Sequence, residues 1–364
     1  MLSPKTKRNI SRAIPFGILW LVFSLVYVQL EKGIIGNLDH YPSTGNPYNF
    51  HQNIITTPLA ALITGLLIGV LEIRYFSKLF NHQSFSRKIM LKSALYLAII
   101  VSFLLAITSI ANSIELNSGL FNKDVWGNVF AFVSDYAFWS VVMYMAAIIL
   151  VTQFYNEVKE KIGQGVLYNF FTGKYHRPIE EERIFMFLDM RSSSTIAESL
   201  GHVTYFQLLK EYYADLSDPI ITYSGDVYQY VGDEIIVSWR LAKGLKNNRC
   251  LQCFFAMQAA LKEQTVKYND KFGLLPEFKG ALHFGKVTTG EIGEIKKEII
   301  FTGDVLNTTS RIQGLCNSYK VDLLISGDLV KRINHQSQYR FISLGETELR
   351  GREERVELFT IIGN

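Results

Sequence analysis

In Arg183-Ile-Phe-Met-Phe-Leu-Asp-Met-Arg-Ser-Ser-Ser-Thr195, five apolar residues run straight into an aspartate, and a Ser/Thr cluster follows. The apolar run reads as a buried-type strand, Arg183–Leu188, that ends at Asp189. A second junction of this kind comes about forty residues later, in Tyr230-Val-Gly-Asp-Glu-Ile-Ile-Val237. There, short strands Val227–Val231 and Ile235–Trp239 flank a Gly232-Asp233 turn as a hairpin. Taken singly, either aspartate is an ordinary turn residue. Two carboxylates at the ends of neighbouring strands are another matter: they are fixed yet open, and can hold a pair of divalent cations on a triphosphate.

Outward from this pair the patterns alternate. Helical periodicity covers Thr204–Tyr223 and Arg249–Phe272. Strands are expected at Phe278–Phe284 and Glu298–Thr302, then a helix at Asp304–Ser318, then strands near Asp322–Ser326, Tyr339–Ser343 and Val356–Ile361. This order predicts a ferredoxin-like α+β sheet with helices on one face.

The 364 residues suffice for two domains, and their hydrophobic share is uneven. Four apolar segments, Ile14–Leu30, Ile54–Ile73, Ile89–Ala111 and Val129–Val151, each approach or exceed the roughly 17–25 residues that cross a bilayer. The first has a basic flank but runs long for a signal peptide and lacks a small-residue cleavage site, so it reads as a retained helix. Lys5, Lys7, Arg8 and Arg12 precede it, and Arg74, Lys78, Arg87 and Lys88 lie in the second connection, with Lys92 placed to snorkel from the third span. The other two connections carry only Lys32 and Lys123. The bias puts both termini and the globular part in the cytoplasm of a multi-pass cell-membrane protein. Asp135 falls inside the fourth segment, either as a functional intramembrane acid or as an interfacial one. Phe154–Ile162 reads as a short amphipathic helix leaving the membrane, before Gly163, Gly165, Gly173 and Pro178. The domains are therefore 1–152 transmembrane, 153–182 linker and 183–364 catalytic.

Net charge is +4, with no basic stripe interleaved with aromatics, so nucleic-acid binding is not expected. Cys250, Cys253 and Cys316 form no disulfide framework. Cys250-x-x-Cys253 has no second pair, so packed free thiols are expected over a zinc site.

Phe187-Leu-Asp-Met-Arg-Ser-Ser-Ser-Thr195, Tyr228-Gln-Tyr-Val-Gly-Asp-Glu234 and Gly303-Asp-Val-Leu-Asn-Thr-Thr-Ser-Arg311 together resemble the three signatures of class III nucleotidyl cyclases, in that family's order and spacing. The resemblance covers about residues 183–362. It implies an intramolecular attack of the ribose 3′-hydroxyl on the α-phosphate, with release of pyrophosphate. It also implies two Mg²⁺ or Mn²⁺ ions per site, held by Asp189, Asp233 and the Met190 carbonyl. Ser193 and Ser194, at a helix start, are candidates for a triphosphate cradle, although an N-cap would use the same residue types. Asn307 and Arg311 share one helix face. By resemblance the Asn orients the ribose and the Arg stabilises charge on the α-phosphate. Arg350 matches a position that touches the outer phosphates, with Arg352 as the fallback. In that family the aspartates and the Asn/Arg pair of one site come from different chains, which implies a head-to-tail homodimer.

The base-reading positions depart from the pattern. Gln229 stands where adenylate cyclases usually have Lys, and Ile300 where Asp, Thr or Ser is common. The reading is an adenylate cyclase that converts ATP to 3′,5′-cyclic AMP, with a guanylate or other nucleotidyl cyclase as the alternative. A diguanylate cyclase is a further rival, because Val231-Gly-Asp-Glu-Ile235 is similar to its hairpin, but it lacks one glycine and has no use for Asn307 and Arg311. The rival from another class is a catalytically silent, cyclase-like membrane receptor module.

Overall fold

The structure is a computed structural model that describes residues 3–42, 47–77, 79–333, 339–350 and 355–363. It divides into two compact units, Thr6–Tyr168 and, with residues 1–5, Asn169–Asn364.

The first unit is helical: α1 (Pro4–Ile35), α2 (Phe50–Leu71), α3 (Phe85–Glu115), α4 (Lys123–Ser134) and α5 (Tyr136–Ile162). Among the described residues, four helices are long and apolar enough to cross a membrane: Pro4–Ile35, Phe50–Phe76, Phe85–Ile114 and Tyr136–Ile162. The unit's core is small, built on Phe16, Trp20, Ile68, Tyr96, Ile148 and Ile149. Large apolar side chains such as Phe103, Phe130 and Met143 stay exposed on the outside, as expected where the solvent is lipid. Helices α1 and α2 approach closely at Gly65, where a Cβ would stand 2.7 Å from the Phe16 carbonyl oxygen.

The helical unit departs from the sequence expectation in three places. The fourth apolar segment is not one helix. At Asp135 the backbone turns extended, and the carboxylate accepts a 2.7 Å hydrogen bond from the Ala137 N–H. Asp135 is thus the N-cap of α5, an ordinary job for an acid at a helix start. Phe154–Ile162 is not a separate amphipathic helix but the end of α5. There Asn156 and Glu157, like Gln153 just before, are buried while Phe154 is exposed. Lys92 does not snorkel. It is wholly buried, with Nζ 2.5 Å from Glu72.

Helix α6 (Gln164–Phe171) follows α5. The second unit then runs β1 (Ile179–Met190), α7 (Ser193–Leu200), α8 (His202–Thr222), β2 (Asp226–Val231), β3 (Glu234–Arg240), α9 (Leu241–Leu245), α10 (Arg249–Glu263) and α11 (Thr265–Phe272). It continues with β4 (Phe278–Ile292), β5 (Glu298–Thr302), α12 (Asp304–Gly314), α13 (Cys316–Tyr319), β6 (Leu323–Ser326), α14 (Gly327–Val330), β7 (Tyr339–Thr347) and β8 (Val356–Gly363). The strands form one eight-stranded sheet in the order β2-β3-β1-β4-β6-β8-β7, with β5 paired to β4.

Strand alternation explains the layers. Ile184, Met186 and Leu188 of β1 point into the main core with Leu208, Tyr212 and Leu216 of α8 and Phe254 and Met257 of α10. Phe185 and Phe187 point the other way, onto Val305 of α12. The expectation of helices on one face alone is therefore amended, because α12 lies on the opposite side. The three cysteines are buried free thiols, and burial pushes Cys250 up to about 12.

Candidate active site

Asp189 is the penultimate residue of β1 and belongs to the alternation that faces α12. Antiparallel pairing sets it opposite Lys279 of β4, and Lys279 Nζ lies 3.3 Å from its Oδ2. Asp233 sits in the two-residue turn between β2 and β3. Gly232, the first turn residue, has φ 63°, which a residue with a Cβ adopts only under strain. The Tyr213 hydroxyl donates to the Gly232 carbonyl at 2.8 Å, and its ring lies 4.5 Å from that of Tyr230. The hairpin tip is thereby tied to α8.

The two aspartates meet. Burial raises the Asp189 carboxyl above its ordinary range, and Asp233 adds to this by a side-chain hydrogen bond and by its charge. Lys279 and Gln313, the latter buried on the sheet side of α12, act in the opposite sense. Next to the turn, Glu234 is pushed up to about 7 by burial and then by the charges of Asp189 and Asp233. Like charges held this close disfavour simultaneous ionisation, and a divalent cation relieves the conflict. The donor set, two carboxylates, is all oxygen and suits a hard cation such as Mg²⁺ or Mn²⁺.

Ser192 takes a left-handed φ of 55° and turns the chain into α7, but its side chain makes no cap hydrogen bond. The first N–H groups of α7, at Ser193 and Ser194, thus lack a side-chain cap. Ser193 reaches Tyr205, whose phenol is raised by burial and by the charge of Asp233. Arg191 turns away, with Nη2 2.6 Å from Asp322.

A β-bulge between Val227 and Gln229 re-aims the next side chains. Val227 pairs with Val237, a main-core residue, whereas Gln229 pairs with Ile236, which faces the α12 side. Gln229 is therefore exposed on the face that carries Asp189. Ile300 of β5 pairs with Gly290 and is half-buried. The ring of its neighbour Phe301 lies 4.7 Å from that of Tyr228, so alternation turns Ile300 away from that contact.

Helix α12 buries Val305, Thr308, Thr309, Ile312 and Gln313 against the sheet. Asn307 and Arg311, one turn apart, occupy its opposite side. Asn307 is exposed, and Arg311 keeps Nη1 buried with no hydrogen-bond partner among the described residues. The chain's own Asn307 and Arg311 thus face away from its own aspartates. Arg350 is exposed at the edge of the described residues, and Arg352 lies outside them. Lys279, Gln313, Glu234 and Tyr213 were not anticipated from sequence. For Tyr213 the only signal is its place on the core-facing helix and for Glu234 its place next to Asp233; Lys279 needs the strand register, and Gln313 the packing of α12 on the sheet.

A mixed sheet bearing two cation-suited aspartates below a helix start, and an Asn/Arg helix facing outward, defines a class III nucleotidyl cyclase domain. The chain belongs to the adenylate and guanylate cyclase catalytic domain family, whose model matches residues 177–363. It is 32% identical over 208 residues to Adenylate cyclase 2 of Rhizobium meliloti (strain 1021), covering 57% of this chain and 57% of that protein. It is 24% identical over 186 residues to an adenylate cyclase of Anabaena cylindrica, covering 48% of this chain and 36% of that one. The chain thus spans about half or less of the length of these curated relatives. Its fold is shared with a bacterial light-regulated adenylyl cyclase, with TM-score 0.53, 22% identity, and coverage of 63% of this chain and 66% of that structure.

Proposed function

We propose that this chain is a membrane-bound adenylate cyclase working as a head-to-tail homodimer, its division being 1–152 membrane, 153–182 connection and 183–364 catalysis. One observation carries the reading: the aspartate pair and the Asn307/Arg311 pair are both intact, yet within one chain they point to different places. Two copies placed head to tail complete two sites.

In this reading Asp189, Asp233 and the Met190 carbonyl hold two Mg²⁺ or Mn²⁺ ions. When bound, the ions lower the pKa of the ribose 3′-hydroxyl and offset charge on the triphosphate. The uncapped amides of Ser193 and Ser194 receive the outer phosphates, helped by Arg350. The partner's Asn307 orients the ribose. The partner's Arg311, half-buried with Nη1 short of an acceptor, meets the charge that builds on the α-phosphate. Removing preorganised stabilisation of this kind commonly costs about 100- to 1000-fold in rate. Gln229 both donates and accepts and so can pair with adenine N6 and N1; Ile300 adds apolar contact only. The bias of basic residues supports a cytoplasmic catalytic unit and cytoplasmic termini.

The test is an assay of the purified full chain with Mn²⁺ or Mg²⁺ and each of the four ribonucleoside triphosphates. Cyclic AMP with equimolar pyrophosphate from ATP is expected. Preference for GTP replaces the base assignment, and no turnover with any nucleotide supports a silent receptor module instead.

A further inference from the structure

Four charged side chains from three helices meet inside the amino-terminal unit. Lys92 Nζ lies 2.5 Å from Glu72 and 3.4 Å from Glu157, and Lys88 Nζ lies 2.8 Å from Glu157. The Tyr96 hydroxyl donates to the second Glu72 oxygen at 2.7 Å. Lys92 is wholly buried, Glu72 is 1% exposed and Glu157 3%. Such a network stabilises little in net terms, since a matched apolar replacement is often neutral, while breaking one partner leaves a buried charge unpaired. Its value lies in position: it fixes one arrangement of α2, α3 and α5.

Two further features bear on how α5 is held there. Glu72 opens a π-helical turn, Glu72–Phe76, at the end of α2, and such turns are frequent at functional places. On α5, Gln153 and Asn156 share a buried stripe with Glu157. Both amide atoms of Gln153 and the amide nitrogen of Asn156 find no partner among the described residues. Glu157 is satisfied where α5 now stands; its neighbours on the same stripe are not. Unpaired buried amides favour any displacement of α5 that pairs them, and the ion pairs oppose it.

We propose that Glu72, Lys88, Lys92 and Glu157 form a latch that holds α5 against α2 and α3, and that opening the latch moves α5 and alters catalytic output. The second part rests on the cyclase reading, because α5 continues through Gly163 into α6 and the first catalytic strand. The latch itself does not.

The experiment uses the full chain in lipid nanodiscs, spin-labelled at Leu67→Cys on α2 and Phe154→Cys on α5. Both sites are exposed, whereas the native cysteines are buried. Distances by double electron–electron resonance and cyclase rate are compared between the parent and a Glu72→Gln/Lys88→Met/Lys92→Met/Glu157→Gln variant. That variant keeps side-chain volume and leaves no charge of the network unpaired, so it serves even if Lys92→Met alone fails to accumulate. The parent is expected to show one narrow distance. The neutral variant is expected to show a second or shifted distance together with a rate change of about 5-fold or more, the lower range for allosteric coupling. An unchanged distance overturns the latch, and a shifted distance with an unchanged rate overturns its coupling to output. If the parent makes no cyclic nucleotide, the cyclase reading fails and the distances alone judge the latch.

Discussion

Lys279 and Asp189 face each other across β1 and β4, with the ammonium nitrogen 3.3 Å from a carboxylate oxygen. The ammonium stands on the oxygen that a divalent cation would take. Lys279→Met is therefore expected to tighten Mn²⁺ binding at pH 8 by roughly 5-fold, the size of one screened charge contact in water. Titration of free Mn²⁺ by its paramagnetic signal measures this without turnover. Weaker binding would mean that Lys279 instead holds Asp189 in a ligating position.

Glu234 gives the site a pH signature. Its folded-state pKa of about 7 lies above its ordinary 4.5, and the Asp189 pKa is raised as well. A raised carboxyl contributes stability that is full below its unfolded pKa and lost as pH rises through the folded value. The metal-free protein should therefore lose thermal stability of the catalytic unit between about pH 4.5 and above pH 7. Glu234→Gln should flatten part of that fall. A melting series from pH 4.5 to 8.5 in chelator checks both, and identical slopes for parent and variant contradict the assignment.

Tyr213 holds the turn that carries Asp233, donating to the Gly232 carbonyl at 2.8 Å and lying 3.3 Å from the Glu234 carbonyl oxygen. Tyr213→Phe keeps the ring against Tyr230 and removes the hydroxyl. Denaturant unfolding should register a loss of about 1 kcal/mol. The turnover number should drop more than the nucleotide KM rises, because the turn positions a metal-binding carboxylate rather than the base.

Arg311 should be far more sensitive than its half-buried place on the outward side of α12 suggests. Arg311→Lys keeps the charge but loses the planar fork that matches a phosphate. It is expected to retain under a tenth of parent activity, with the melting temperature unchanged. Activity near the parent's would remove Arg311 from the reaction.

The sequence exposed what depends on local pattern. Strand ends, the Gly-Asp turn and the Asn307/Arg311 spacing are all short-range signals, and the sheet follows from them. It hid what depends on register and on distant partners. Lys279 is an ordinary strand lysine until antiparallel pairing sets it on Asp189, and a one-residue bulge decides which face Gln229 takes. In the helical unit, hydropathy counts read Lys92 as a snorkelling end, because nothing local announces Glu72 and Glu157 as its partners. Asp135 broke a span that composition alone had joined, since a cap is a matter of backbone geometry.

The account stands or falls on sites shared between two copies, each lending what the other's pair of acids lacks. Asp189→Ala and Arg311→Ala chains, each inactive alone, should recover when co-expressed. A mixed dimer keeps one intact site out of two, so up to about a quarter of parent activity is expected if chains pair at random. Cyclic AMP from the mixture, and none from either variant alone, is the predicted result. Silence from a mixture in which both chains are folded and co-purify would contradict it.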